Sequence, residues 1–164
     1  MWWRISRSQF RKQKGRKNKQ SMKKVVNSGG IPGIIAYHKK KPVGWCSVGP
    51  RENYPTLVRS RTLRAMNQKD PIQGKPDKTV WSIVCLFVEK PNRNQGISIK
   101  MLEAAVNYAK SKGAKVVEGY PKDTRKSRWA DAFVWTGHIS AFKKAGFVEV
   151  FRSSPTQVIM RYSR

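Results

Sequence analysis

Apolar and polar positions along the chain change period several times, and each change marks an element. Residues 80–88 (VWSIVCLFV) are apolar on both alternating faces, which predicts a central strand covered on both sides. Ahead of it, residues 33–37 (GIIAY) and 43–48 (VGWCSV) flank a polar turn at 38–42, the pattern of an antiparallel hairpin. After it, a polar stretch at 89–96 (EKPNRNQG) leads into a helix over about 97–112. There Met101, Leu102, Ala105, Val106 and Ala109 form one stripe, and Gly113 closes it. Residues 114–120 (AKVVEGY) read as a second core strand, so strand, helix and strand predict a right-handed parallel crossover.

The remaining pattern is weaker. Residues 49–78 form a connection rich in Pro, Gly, Asn and Asp, within which 59–66 (RSRTLRAM) reads as a short helix. A helix over about 137–145, a strand at 147–151, a turn at 153–155 and a strand at 157–162 end the chain. Near the start, Asn18 is expected to cap a helix whose Met22, Val25 and Val26 share a face, stopped by Gly29 and Gly30. The class is mixed α/β with an antiparallel first half.

Charge changes the picture most. In 164 residues, 35 Lys and Arg stand against 9 Asp and Glu, a formal charge of +26. The first 51 residues carry 14 basic side chains and no acid, and ten of these lie between residues 4 and 24, a stretch expected to be a solvated, partly helical arm. Such a field favours polyanions as partners, so nucleic acid is a live hypothesis. The longest apolar run, residues 83–88, is far short of the ~18 residues a membrane span requires. The basic start lacks the apolar stretch of a secretory signal, and a cytoplasmic location is expected. Cys46 and Cys85 sit inside apolar runs without a CxxC pair and read as reduced core thiols. No ligand spacing joins them to His38 and His138, so no metal site is expected.

Between the central strand and its helix lies Arg93-Asn94-Gln95-Gly96-Ile97-Ser98. A helix start leaves backbone N–H groups unpaired at the positive end of the helix dipole, which makes a phosphate cradle. Gly96 would admit an anion to the backbone, Ser98 would leave room, and Arg93 adds charge. Alone the signal is weak, because many helices begin with a glycine and a small polar residue. Neither GxxxxGK[ST] nor GxGxxG occurs.

The loop does, however, resemble the (Gln/Arg)-x-x-Gly-x-(Gly/Ala) acetyl-coenzyme A loop of the GNAT acetyltransferase superfamily. The blocks GIIAYHKKKPVGWCSV, VWSIVCLFVEK, ISIKMLEAAVNYAKSKGA, KVVEGYP and AFKKAGFVEV are similar to that superfamily in the same order, from Trp2 onward. They look closest to bacterial GNAT proteins with GWCSV, VWSIVCLFV, VVEGYP and DAFVWTG-like blocks. The resemblance implies an acyl-CoA N-acyltransferase fold: a mixed central sheet splayed between two parallel strands, with helices on both faces. It implies a single domain over residues 1–164, with 1–17 a basic arm. It further implies a bulge in the central strand that frees the backbone of Leu86, Phe87 and Val88 for pantetheine, while Arg93, Asn94, Gln95, Gly96, Ile97 and Ser98 hold the pyrophosphate. The implied chemistry is direct attack of an amine on the thioester of acetyl-CoA, which needs a base, an oxyanion donor and an acid for the departing thiolate.

Four departures qualify the likeness. Ser98 replaces the last Gly or Ala of the loop, and Phe142 stands where the family often has an acid tyrosine. Trp135 stands where many relatives carry Asn. Relatives usually have a first strand and helix before this point, so either the chain starts late or residues 2–5 supply a remnant strand.

With Phe142 unable to donate a proton, Glu118 and Tyr120 at the end of the second core strand become the catalytic candidates. The alternatives are a salt-bridged structural acid for Glu118 and a packing role for Tyr120. Asp131 could meet an acceptor amine or cap a helix. His138 could cap the short helix or serve as acid, and His38 reads as solvated. Trp45, Trp81, Trp129 and Trp135 read as core or pocket wall, while Trp2 and Trp3 could stack on bases. The leading reading is an acetyl-CoA-dependent N-acetyltransferase acting on a small-molecule or peptide amine, on a neutral or anionic molecule. Its rival is a weakened GNAT-fold module binding nucleic acid or the ribosome through residues 4–24. A homodimer stays open, and no membrane partner is expected.

Overall fold

The computed structural model describes residues 1–67, 78–124, 129–130 and 133–162. Six strands form one sheet: β1 (Ile34–His38), β2 (Lys41–Pro50), β3 (Val80–Val88), β4 (Val116–Gly119), β5 (Phe147–Ser154) and β6 (Gln157–Tyr162). Their order is β1-β2-β3-β4-β6-β5, with β3 and β4 parallel and the other pairs antiparallel. The hairpin turn is tighter than the pattern implied: Lys39 and Lys40 alone make it, both at positive φ, as a two-residue turn between right-twisted strands requires.

β3 is buried on both faces for the reason its sequence gives: successive apolar residues serve different cores. Trp81, Ile83 and Leu86 join the layer under α5 (Ile97–Ser111) and α6 (Ile139–Lys144). The predicted stripe of α5 is the face that is buried there, each large side chain contributing roughly 1.5–3 kcal/mol. Val84 joins the opposite layer, where Tyr54, Leu57, Leu63 and Met66 pack beside Ile159. Those residues belong to α3 (Pro55–Val58), α4 (Arg61–Asn67) and the turn before them, so the long connection after β2 covers a face of the sheet. The helix expected at 59–66 is α4; residues 68–77 of that connection lie outside the described residues.

Four local expectations change. The second core strand is trimmed to β4, and β5 runs on to Ser154. Asn18 caps nothing: α2 (Arg16–Asn27) starts after Gly15, and Asn18 Nδ2 donates to Phe10 O, tying α2 to α1 (Arg7–Lys12). Residues 1–5 form a turn, with the amides of Arg4 and Ile5 both donating to Met1 O, instead of a remnant strand. That turn is folded onto the start of α3: Thr56 Oγ1 donates to Ile5 O at 2.8 Å, and the Arg4 guanidinium lies 4.7 Å from the Tyr54 ring. α1 and α2 themselves contribute no buried residue. No described helix is long and apolar enough to cross a membrane.

Candidate active site

The parallel pairing of β3 with β4 runs from Val80–Val116 to Ile83–Gly119, whereas β3 continues beside β2 as far as Val88. The strands part at a bulge: Ser47 pairs with Cys85 and Val48 with Ile83, leaving Val84 as the extra residue. Beyond Ile83, other chain segments answer the freed edge of β3. Trp3 Nε1 donates to Val84 O at 3.1 Å, and the Leu86 amide donates to Trp135 O at 2.8 Å. Arg93 Nε donates to Val88 O at 3.0 Å, anchoring the following loop to the strand end.

A cleft of about 570 Å³ opens at this divergence, within the range of small-molecule sites. One wall is Leu86, Phe87 and Val88 of β3; the floor is Asn92, Arg93, Asn94, Ile97 and Ser98; the far wall is Val134, Trp135, Gly137, His138 and Ala141. Seven of the nine expected coenzyme residues therefore line one cavity. The other two shape its floor: Gln95 turns back to donate to Pro91 O, and Gly96 sits at the entry of α5 with φ +75°. A Cβ at Gly96 would meet nothing within 4 Å, so open space lies over the helix start. Gly96 supplies no side-chain cap, and the bonds into its carbonyl begin only at the Ile99 amide, which leaves the Ile97 and Ser98 amides at the end of the macrodipole. With Arg93 the only charged side chain on that floor, the residues fit a phosphorylated group.

Glu118 and Tyr120 lie beside the parting of the strands, not among the residues lining the cleft. Glu118 is fully buried; Arg51 Nη1 donates to Oε2 at 3.1 Å and Arg161 Nε to Oε1 at 2.9 Å. The Tyr120 hydroxyl donates to Glu118 Oε2 at 3.0 Å and lies 2.9 Å from Ser82 Oγ. Burial first, then the neighbouring carboxylate, pushes the Tyr120 phenol well above its ordinary range. This arrangement has the form of the structural alternative set beside the catalytic one.

Phe142 is wholly buried, edge-on to Phe147 and packed against Gly119, where a Cβ would come within 2.0 Å of its ring. His138 does not cap α6 through its side chain; Thr124 Oγ1 lies 3.3 Å from its Nδ1. Lys122 pairs with His138 through the backbone, carries its amine 5.5 Å over Trp129, and is held below the usual lysine range by desolvation. The half-buried Trp2 and Trp3 rings lie 6.4 Å and 5.6 Å from that of Trp135. Cys46 is buried and Cys85 half-buried, both unbridged with thiols pushed up by burial. Asp131 lies outside the described residues. The far wall was the part sequence reasoning did not assemble. Its contact with β3 runs through a backbone carbonyl, which leaves no mark on residue type.

The profile described as the Acetyltransferase (GNAT) family matches residues 1–127. Among curated proteins none matches in sequence. Solved structures share the fold. A ribosomal-protein-alanine N-acetyltransferase from Brucella melitensis superposes with a TM-score of 0.55 at 16% identity, covering 88% of this chain and 76% of its own. A putative GNAT-family acetyltransferase from Desulfovibrio desulfuricans gives 0.53 at 14% identity, with 87% and 76% covered. The aminoglycoside acetyltransferase AAC(6')-Ib, solved with paromomycin and acetyl-CoA, gives 0.52 at 18% identity, covering 79% of this chain and 63% of that one. At these identities the likeness is one of fold.

Proposed function

This chain belongs to the acetyltransferase (GNAT) family, and from that premise we propose that it transfers an acetyl group from acetyl-CoA to a primary amine by direct attack. The observation that carries the reading is the continuity of the cleft: one cavity joins the edge of β3 beyond its pairing with β4 to the uncapped start of α5. The Ile97 and Ser98 amides with Arg93 hold the pyrophosphate, and Leu86, Phe87 and Val88 flank the pantetheine. The coenzyme supplies the activated acetyl group. The Leu86 amide is the donor placed for an oxyanion, which would take over the bond now made to Trp135 O at 2.8 Å. Glu118 and Tyr120 act by position, fixing the junction at which β3 and β4 part.

A positive field suits a polyphosphate coenzyme and lowers the pKa of an incoming amine, which favours acceptors on neutral or anionic molecules. Calorimetry with coenzyme A, followed by thiol release from acetyl-CoA over an amine panel, tests the reading. Binding that weakens at least tenfold in Arg93→Ala supports it. A parent protein that binds no coenzyme A overturns it.

A second reading rests on a separate observation: nine cations on and between α1 and α2 are exposed, with no acid among them. The helices would hold a polyanion, nucleic acid or ribosome, and bring the enzyme to its acceptor. The free thiols Cys46 and Cys85 accord with a reducing cytoplasm.

A further inference from the structure

Phe142 leaves proton transfer without its usual group, and the cleft itself offers a replacement. Of the described residues that line it, only Arg93 and His138 carry ionisable side chains. A guanidinium stays charged at any working pH, whereas an imidazole exchanges protons between pH 5 and 8. The backbone of His138 is pinned on both sides: the Lys122 amide donates to Gly137 O at 2.9 Å and the Ile139 amide to Lys122 O at 3.2 Å. Thr124 Oγ1 lies 3.3 Å from Nδ1 of its exposed ring, which leaves Nε2 as the nitrogen without that neighbour. His138 also stands one helical turn before Phe142, on the wall facing Leu86.

We infer that His138 is the proton-transfer group of this site; the inference rests on the acetyltransferase reading above. Neutral Nε2 takes the proton that the amine nitrogen sheds as the nitrogen–carbon bond forms. It returns that proton to sulfur as the carbon–sulfur bond breaks. Amine and thioester become amide and thiol, and the imidazole ends as it began. Among the described residues, the charged groups around it are Arg93 across the cleft, Lys122 on the paired segment, Asp123 held by Arg152, and Lys143 and Lys144 at the far end of α6.

The chain has two histidines, so His38→Gln on the exposed hairpin leaves a single imidazole to follow by proton NMR. Its C2–H resonance should shift on saturation with acetyl-CoA. His138→Gln should keep coenzyme A affinity within about threefold, lower kcat for thiol release, with the best amine or water as acceptor, by about 10²-fold, and erase the acid-side limb of the kcat–pH profile. Should His138→Gln not fold, Thr124→Val should lower kcat and move the limb at unchanged coenzyme affinity. A resonance indifferent to acetyl-CoA, or a variant that keeps both kcat and limb, overturns the inference. Absence of coenzyme A binding in the parent would instead remove the acetyltransferase reading beneath it.

Discussion

Glu118 shows what single residues decide here. Two guanidinium groups and a phenol converge on one fully buried carboxylate at the last pairs before the strands separate. Glu118→Gln would leave Arg51 and Arg161 facing a neutral amide, at a cost of about 3–5 kcal/mol, read as a lowered urea midpoint. Tyr120→Phe should by contrast keep most of kcat. Tyr54 and Tyr120 both have raised phenol pKa values through burial. In the unfolded chain they ionise near pH 10, while the folded protein keeps them neutral. Their contribution is therefore complete below about pH 10 and is lost as pH climbs through the folded values. Absorbance at 295 nm should show part of the five tyrosines titrating late, together with unfolding. At this scale the sequence named Glu118 and Tyr120 because they end a core strand next to the expected splay. It could not reveal that Arg51 and Arg161, 67 and 43 positions away, would engage both oxygens.

Elements were more legible. β3 begins and ends where the apolar segment predicted over 80–88 does, and α5 buries the five residues whose spacing marked them. Both signals are local, set by which faces must leave water. The Arg93–Ser98 floor was readable for the same reason, since a helix start and a glycine at positive φ are properties of the chain itself. The far wall was not, because residues 134–141 meet β3 through tertiary contacts, the backbone hydrogen bond from Leu86 to Trp135 among them. That packing is close: Gly119 on β4 leaves just enough room for the Phe142 ring from α6. Gly119→Ala should push α6 outward, lower stability by about 1–3 kcal/mol in urea unfolding, and weaken coenzyme A binding with it. Wild-type affinity in a stable Gly119→Ala protein would show the wall to be independent of that contact.

Across the whole molecule, the expected arm divides in two. Its first five residues belong to the fold, since Trp3 bonds to β3 and Arg4 covers Tyr54. The exposed cations begin at Arg7 and follow α1 and α2, which bury nothing. Truncating the chain at residue 17 would therefore damage the site as well as the charge. Substituting Lys17, Lys19, Lys23 and Lys24 by Glu isolates the charge. If these helices hold nucleic acid, affinity should fall steeply with salt, and the substitutions should flatten the log–log slope by up to about 0.9 per lost phosphate contact while coenzyme A affinity is kept. An unchanged slope would place the contact elsewhere.

The contact between Trp135 O and the Leu86 amide has a spectroscopic consequence. Trp135 is the hub of a cluster that includes Trp2 and Trp3, at ring separations of 6.4 Å and 5.6 Å. Indoles that close couple excitonically and give near-ultraviolet circular dichroism its sign and shape. Any ligand that draws the Trp135 carbonyl off β3 must rearrange those chromophores, so opening of the wall can be followed in real time without a label.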